Sequence, residues 1–337
     1  GPLLAAPAAA GEAGRTPAPS ASAATPASAS PESPASPAER CSLWVDCYTG
    51  EPVAFDDMIE DLDLARVVYI GEQHTAGRHH RIQEQVVEAL AARGDTLVLA
   101  LEMLETDTQP EVDRYNRGEI SFDTLAARIN WKKRWSNYEQ YRGAIEAARR
   151  HGAPILALNA RRDVVRKVGM EGFAELSPED RALLPPEVDF DQPMYERQML
   201  TILQVHAKAM GMANLLRTMF EAQVVRDETM AHSVASFLNS EAGRGRTAVV
   251  LCGSGHCAHG LGIPSRVERR IPGIAQRILV LSESGDVELS EAERKLASDV
   301  RITHADLKHL QAPIADYLQV SAEREKPEEP APEPRGD

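Results

Sequence analysis

The feature that most constrains this chain is a series of five short apolar runs, rich in valine, leucine and isoleucine. Helical patterns separate several of these runs along the sequence. Strands that are apolar on both faces lie buried between two layers, and helical connections favour parallel neighbours. The sequence therefore predicts an α/β fold with a mostly parallel sheet flanked by helices. The five predicted strands are Arg66–Ile70, Thr96–Leu101, Pro154–Leu158, Thr247–Leu251 and Arg277–Leu281.

Two connections have the spacing of amphipathic helices, and a third is a long insert. Apolar residues recur at helical spacing over Ile82–Ala92, and a second helix over Tyr138–His151 ends at Gly152. Residues 185–240 form a helical insert, with a long helical stretch from Tyr195 to about Ser240. A methionine-rich surface adapts to a flat ligand, although the same pattern is also typical of an ordinary core. The insert contains Met199, Met210, Met212, Met219 and Met230.

The two ends of the chain differ from its centre in composition. Residues 1–40 are rich in Ala, Pro and Ser, residues 323–337 are acidic, and neither segment contains an aromatic residue. Such segments bury too little apolar surface to offset the entropy lost on ordering. We expect a disordered tether over 1–40, one α/β domain over 41–322 and a disordered acidic tail.

The tether also suggests a cellular location. An Ala/Pro/Ser-rich segment before a folded domain suits a lipid-anchored protein of the cell envelope, although an interdomain linker has the same composition. The chain shows neither a start methionine nor a signal peptide. We therefore expect an exported chain whose targeting segment is not present in this sequence.

The charge distribution argues against a nucleic-acid partner. The formal net charge is −14, and no stripe of Lys and Arg alternates with aromatic residues. The predicted ligand-facing edge nevertheless gathers Arg78, Arg81, Arg161 and Arg162. An acidic body with a locally basic crevice favours a small anionic ligand.

Polar residues follow the predicted strands where each strand ends. The first strand leads into Gly71-Glu72-Gln73-His74, the second into Glu102, and the fourth into Gly253-Ser254-Gly255-His256. Ligands of parallel α/β sheets bind outside the carboxyl ends of the strands. Both histidines share a Gly-x-x-His pattern, in which the glycine lets the chain turn sharply. We expect Glu72, His74, Glu102 and His256 to meet in one site.

Two imidazoles and two carboxylates are compatible with three kinds of chemistry. They can bind a divalent metal through Glu72, His74 and His256, form a general acid–base pair, or surround an organic cofactor. A purely structural alternative has His74 capping a helix and Glu72 paired with Arg78 or Arg161.

The four cysteines fall into two close pairs, Cys41/Cys47 and Cys252/Cys257. Either pair is compatible with a disulfide, and the second flanks His256 and offers soft metal ligands. Neither spacing matches the pairs of a structural zinc site. We expect both pairs to be free or disulfide-bonded cysteines without chemistry of their own.

Several of these motifs resemble a known family. Val67–His74, Leu101–Met103, Ala157–Asn159, Gln223–Ala231 and Gly253–His256 with Gly262-Ile-Pro264 occur in the order seen in ChaN-type haem-binding proteins. The resemblance extends from about residue 43 to about residue 281. A wider group that includes Tiki proteases, TraB proteins and erythromycin esterases is similar in its paired Gly-x-x-His arrangement.

The resemblance implies a haem-binding protein of the envelope, often a periplasmic or outer-membrane lipoprotein, that acts in haem or iron acquisition as a homodimer. It implies a tyrosine as iron ligand with a histidine assisting, and phenolate is a reasonable donor to ferric iron. The tyrosines that we expect to be exposed are Tyr195, Tyr138 and Tyr141. The other expected haem-binding residues are His74, His256, Arg78 and Arg161.

The wider group implies a different activity. In an esterase or peptidase-like hydrolase, Glu72, His74, Glu102 and His256 would activate water, with or without a divalent metal. Cys257, directly after His256, departs from the pattern of the wider group. A thiol at this position would restrict or add to the coordination of a metal. A third alternative is a tethered scaffold domain with an idle motif. Of these, we favour haem binding.

Overall fold

The computed structural model describes residues 42–94, 96–209, 213–283 and 308–321. The predicted tether at 1–40 and the tail at 323–337 lie outside these residues. Eight described strands form one sheet. They are β1 (Ser42–Asp46), β2 (Pro52–Val53), β3 (Val67–Glu72), β4 (Leu97–Glu105), β5 (Ile155–Asn159), β6 (Thr247–Gly253), β7 (Gln276–Glu283) and β8 (Tyr317–Ser321).

The sheet has the order β2-β1-β8-β7-β3-β6-β4-β5. Neighbouring strands from β8 to β5 are parallel, whereas β1 is antiparallel to both β8 and β2. The five predicted strands correspond to β3 to β7, so the predicted mostly parallel sheet is confirmed. The sequence did not predict β1, β2 and β8, which extend one side of the sheet and lack the continuous apolar runs of central strands.

Helices occupy most of the connections between the strands. Both predicted helices are present, but the second divides into a 3₁₀ turn at Tyr138–Tyr141 and a following α-helix. The α-helices are α1 (Phe55–Leu62), α2 (Gly77–Ala92), α3 (Gln109–Asn116), α4 (Phe122–Arg128), α5 (Trp131–Arg134), α6 (Arg142–Arg150), α7 (Arg162–Glu171), α8 (Pro178–Arg181), α9 (Pro193–Ala209), α10 (Leu216–Asn239) and α11 (Ile263–Arg270).

Local sequence signals explain several helix ends. The Ser121 hydroxyl accepts a hydrogen bond from the Thr124 amide at 3.2 Å and caps α4. Gly152, with φ of 73°, takes the left-handed conformation after α6. Among the described helices, none is both long and apolar enough to cross a membrane.

Alternate residues of the central strands enter two apolar layers on opposite faces of the sheet. Val68 and Ile70 of β3 pack in the layer that contains buried residues of α2 and α6. Val67 and Tyr69 pack in the other layer with buried residues of α10 and α11. This alternation is the two-residue period of a strand buried on both faces.

The helical insert consists of α9 and α10, and its described methionines belong mainly to the core. Met230 is fully buried in the layer beneath α10, and Met199 packs beside Tyr195. The core interpretation therefore applies to these two methionines. Met210 and Met212 lie outside the described residues.

The described cysteines are free thiols, namely Cys47, Cys252 and Cys257. Cys41 lies outside the described residues.

The strand order brings the predicted site residues to one edge. β6 lies between β3 and β4, and Glu72 at the end of β3 is in register with Gly253 at the end of β6. The register of β4 against β5 shifts between Leu101 and Glu105. Such irregularities change the direction of side chains at the rim of a sheet, and this one contains Glu102.

Candidate functional site

Glu72 is the buried centre of the first half of the site. Its Oε1 accepts hydrogen bonds from His74 Nδ1 at 2.7 Å and from the Tyr141 hydroxyl. Its Oε2 accepts one from Gln83 Nε2 at 2.8 Å, and His80 Nε2 lies 3.3 Å away. Glu72 is therefore held by His74, Tyr141 and Gln83, whereas Arg161 of the structural alternative pairs with Asp163.

His74 is the more accessible of the two motif histidines. Its side chain is 35% exposed, and its ring meets Trp135 edge-on at a centroid distance of 4.9 Å. Because the carboxylate of Glu72 is an acceptor, Nδ1 carries a proton. Nε2 lies 3.8 Å from Glu102 Oε1, beyond hydrogen-bond distance. The N-cap of α2 is Ala76, so His74 does not cap that helix.

Glu102 is a buried carboxylate that faces several donors. Its Oε1 accepts a hydrogen bond from Arg226, and its Oε2 accepts one from the Gly253 amide at 2.7 Å. Burial alone would raise the pKa of Glu102, but the charges of His256 and Arg226 outweigh burial and lower it. Glu102 is therefore a fixed negative charge between the two histidines.

His256 lies between two carboxylates. Its Nδ1 is 2.6 Å from Asp227 Oδ1, and its Nε2 is 3.3 Å from Glu102 Oε1. Burial lowers the pKa of His256, yet Glu102 and Asp227 together raise it to about 9. His256 is accordingly an imidazolium at neutral pH, with neither nitrogen available as a lone-pair donor.

The expectation of exposed tyrosines was wrong for Tyr141 and Tyr195. Both side chains are buried, and their hydroxyls donate to Glu72 and Asp227 respectively. Burial and these neighbouring carboxylates raise the pKa of each phenol, which disfavours the phenolate that ferric iron prefers. Tyr138 is half-buried, and its hydroxyl donates to Glu139 at 3.0 Å.

The glycines of both Gly-x-x-His motifs are required by close packing. A Cβ on Gly253 would lie 2.9 Å from His74 Nε2. A Cβ on Gly71 would lie 2.7 Å from Cys257 Sγ and 3.0 Å from Ser254 Cα. Each motif glycine therefore makes room for the loop that carries the other motif.

A cleft of about 440 Å³ opens beside this network. We call it the arginine cleft, and two of its lining residues, Glu102 and Trp135, contact His74. It continues into a more open basin of about 770 Å³ that shares several of its lining residues. A larger groove of about 900 Å³ is lined by Arg81 of the predicted ligand-facing edge but by none of the predicted histidines, carboxylates or tyrosines. The arginine cleft is lined by Glu102, Met103, Glu105, Arg134, Trp135, Asn159, Ala160, Arg162, Val165, Arg166 and Arg226.

The predicted arginines occupy different places. Arg161 lines the open basin but forms an ion pair with Asp163 at 2.6 Å. Arg78 is buried near the start of α2 and lines neither the cleft nor the basin. Arg162, predicted at the ligand-facing edge, does line the cleft, together with Arg134, Arg166 and Arg226.

The structure does not assemble Glu72, His74 and His256 into a metal site. Over the described ranges, no group of three or more His, Cys, Asp or Glu residues has the arrangement to hold a metal ion. The reason is visible in the contacts, because Glu72 and His74 bond to each other and His256 is held by Asp227 and Glu102.

Sequence reasoning assigned no role to several residues of this site. Asp227 and Arg226 belong to the Gln223–Ala231 motif, but their positions on α10 gave no sign that they face His256 and Glu102. Trp135, whose ring contacts His74, was not predicted either. The adjacent base and acid on one helix, Arg226 and Asp227, were a sign of a polar site, although helical spacing alone does not reveal their partners.

The arrangement therefore combines a partly exposed imidazole, a buried imidazolium and a cleft rimmed by arginines. The exposed imidazole belongs to His74, and histidine side chains serve as general bases and as metal ligands. A carboxylate behind such a histidine fixes its tautomer and raises its basicity.

Comparison with known proteins gives matches across most of the folded chain. An Arabidopsis thaliana protein named RETICULATA-RELATED 5, chloroplastic, is 26% identical over 296 residues, which is 82% of this chain and 37% of that protein. The chain thus spans little more than a third of this curated relative.

A solved structure shares the fold, and another is more distantly similar. ChaN of Campylobacter jejuni, whose structure is described as showing cofacial haem binding, has a TM-score of 0.62 and 20% identity, covering 84% of this chain and 97% of that one. An erythromycin esterase in its open conformation has a TM-score of 0.42 and 12% identity, covering 72% and 77%.

The family assignment rests on a match within the sequence itself. Residues 58–267, well over half of the chain, match the family described as haem-binding uptake, Tiki superfamily, ChaN. This range includes both Gly-x-x-His motifs, Glu102 and the Arg226-Asp227 pair. The chain belongs to the ChaN family of haem-binding uptake proteins in the Tiki superfamily.

Proposed function

We propose that this chain binds haem in the arginine cleft beside His74 and acts in haem or iron acquisition. The observation that carries the proposal is the position of His74, whose ring is held by Glu72 through Nδ1 and is partly exposed beside two residues that line the cleft, Glu102 and Trp135. Family membership supports the ligand class.

The residues of the cleft fit haem in three respects. Its volume of about 440 Å³ lies in the range of pockets that bind medium-sized organic ligands. Met103, Trp135 and Val165 provide apolar surface for a flat macrocycle, and the arginines suit carboxylate groups. His74 would supply the iron ligand, and haem itself would supply the iron and its visible absorbance.

Tyrosine ligation fits less well than histidine ligation. None of Tyr138, Tyr141 and Tyr195 lines the arginine cleft, and each hydroxyl already donates to a carboxylate. We therefore propose His74 as the principal iron ligand, with Glu72 raising its basicity. His256 is held by two carboxylates and acts as a fixed positive charge.

A hemin titration monitored by the Soret band tests this proposal. We expect His74→Ala to weaken hemin binding by about tenfold, because the metal–ligand bond is lost. His151→Ala is the matched control, since His151 pairs with Glu88 and lines no part of the cleft. Hemin binding that is absent in the unaltered chain, or equally tight in His74→Ala, would contradict the proposal.

A second candidate function is hydrolysis, which the partly exposed position of His74 also favours. In that reaction, His74 would take a proton from water, and the oxygen would attack an ester or peptide carbonyl carbon. The proton would then pass to the leaving group as its bond to that carbon breaks. Glu72 would orient the base and disperse its positive charge.

Turnover of p-nitrophenyl esters and a peptide library decides this second candidate. We expect His74→Ala to lower kcat about 100-fold or more if His74 is a general base. Hydrolysis that persists unchanged in this variant, or that never exceeds the buffer rate in the unaltered chain, excludes the candidate.

The envelope location, the lipid anchor and the homodimer stay proposals. The segment predicted as a tether lies outside the described residues. Fractionation of native cells and sedimentation with and without hemin test these three properties. Protein found in the soluble fraction, or a monomer in both sedimentation runs, would contradict them.

A further inference from the structure

Two arginines of the cleft lack a carboxylate partner. Arg162 and Arg166 are exposed residues of α7, four positions apart, and both line the cleft and the adjoining basin. The Arg162 guanidinium donates to the Lys133 carbonyl at 3.3 Å. In the part of the chain that the structure describes, no carboxylate pairs with either guanidinium.

The neighbouring arginines behave differently. Arg134 pairs with Glu105 at 2.5 Å, Arg226 bonds to Glu102, and Arg161 pairs with Asp163. The two guanidinium groups that pair with no described carboxylate thus lie one helical turn apart on α7, although the Arg162 amide donates to Glu105 Oε2 at 3.1 Å.

This pair is unfavourable for the helix itself. Like charges four residues apart on a helix repel each other, and positive charge in the first turns opposes the helix dipole. Arg162 is the first residue of α7, and Arg166 lies one turn later. An anionic ligand with two negative groups would relieve both effects.

The cleft offers fewer ligands to a metal ion than it offers hydrogen-bond donors to the two carboxylates of a bound molecule. His74 offers one nitrogen, whereas the three candidate tyrosines have buried or carboxylate-bound hydroxyls. Each arginine can form a bidentate, charge-assisted pair with a carboxylate.

We propose that the cleft selects planar tetrapyrroles through two carboxylates held by Arg162 and Arg166, so that metal-free porphyrin acids bind nearly as tightly as hemin. This proposal rests on the haem-binding function proposed above. It extends the ligand class from haem to dicarboxylic tetrapyrroles, with or without iron.

Fluorescence titrations of the full chain test the proposal. The probes are hemin, protoporphyrin IX and protoporphyrin IX dimethyl ester, all in one detergent-containing buffer. We expect protoporphyrin IX to bind within about tenfold of hemin, and the ester about tenfold weaker or more for each blocked carboxylate, because a hydrogen bond between charged groups is lost.

Charge variants connect the effect to α7. We expect Arg162→Gln with Arg166→Gln to weaken binding of both free acids by about 100-fold and to leave the ester unchanged. Arg197→Gln with Arg244→Gln removes the same charge from exposed positions outside the cleft and is the matched control.

Three results would overturn the proposal. They are an ester that binds as tightly as the free acid, a protoporphyrin that fails to bind where hemin binds, and a control pair that weakens binding as much as the α7 pair. In these cases hemin binding itself persists, so the proposed function survives. Failure of both hemin and protoporphyrin to bind would remove the two proposals together.

Discussion

Two histidines with the same local motif differ in their exposure. Each has a carboxylate at hydrogen-bond distance from Nδ1, which is Glu72 for His74 and Asp227 for His256. Glu102 Oε1 lies 3.3 Å from Nε2 of His256 and 3.8 Å from Nε2 of His74. His256 is buried, whereas the His74 side chain is 35% exposed, so His74 is the histidine that a ligand can reach.

The protonation of His256 predicts a pH dependence of stability. Because the pKa of His256 in the folded chain is about 9, above the 6.5 of a free imidazole, its contribution is complete below about pH 6.5. It is lost as the pH rises through about 9. We expect the free energy of unfolding to fall by about 3 kcal/mol across this window.

Urea unfolding at several pH values measures this change, with His256→Gln as the comparison. A ring-proton NMR titration of the folded chain gives the pKa directly. A midpoint for His256 near 6.5, or an equal loss of stability in the glutamine variant, would show that the two carboxylates do not stabilise an imidazolium.

We expect different outcomes when each of the two motif glycines is replaced by alanine. We expect Gly71→Ala to cost about 1–3 kcal/mol of stability, because its Cβ would press on the backbone at Ser254 as well as on Cys257. In Gly253→Ala, the new Cβ would press on the ring of His74, which is partly exposed and able to move. That variant should fold with a smaller loss but bind hemin more weakly.

Thermal melts and hemin titrations of the two variants separate these effects. Equal stability losses, or a Gly253→Ala chain that binds hemin normally, would contradict this account of the two loops.

At the residue scale, the sequence predicted the centre of the site but not its surroundings. Glu72, His74, Glu102 and His256 follow strand ends, and that position is visible in the apolar pattern. Burial of Tyr141 and Tyr195 was not visible, because it depends on which helix faces pack on the sheet. Asp227 lies inside a helix, where nothing local marks it as a partner of His256.

At the element scale, α7 carries a charge pattern that weakens the helix. Replacing its first residue, Arg162→Glu, would create a favourable pair with Arg166 four residues later and a favourable dipole interaction. We expect the free energy of unfolding to rise by about 0.5 kcal/mol while hemin affinity falls.

Urea unfolding and the hemin titration measure the two effects on the same preparation. Arg197→Glu, on the exposed face of α9, serves as the control for the change of charge. Tighter hemin binding in Arg162→Glu would mean that α7 does not recognise the ligand.

The central elements were predictable and the outer ones were not. Strands β3 to β7 are apolar on both faces, so their signal is continuous. By contrast, β1 and β8 form only as partners of each other and of β7, from segments far apart in sequence. Short helices such as α5 and α8, with four residues each, are too brief to show a period.

At the scale of the whole molecule, the pairing of β1 with β8 joins the two described ends of the chain. β1 contributes Trp44, which is 7% exposed, and pairs with β8 over five residues. A chain that begins at Tyr48 would lose this strand and expose the edge of β8. We expect it to be less stable by about 3 kcal/mol or more, or to aggregate.

A chain that begins at Ser42 is the control, and thermal melting compares the two. We expect the chain from Ser42 to melt like the full-length chain. Equal melting temperatures for both truncated chains would show that β1 does not belong to the folded unit.

The central claim is that His74 is the iron ligand of the bound haem. Absorption spectroscopy of the ferric haem complex tests this claim most directly. We predict a histidine-type spectrum that is lost in His74→Ala and unchanged in Tyr138→Phe, Tyr141→Phe and Tyr195→Phe. A phenolate-to-iron charge-transfer band that disappears in one of the tyrosine variants, with His74→Ala unaffected, would contradict it.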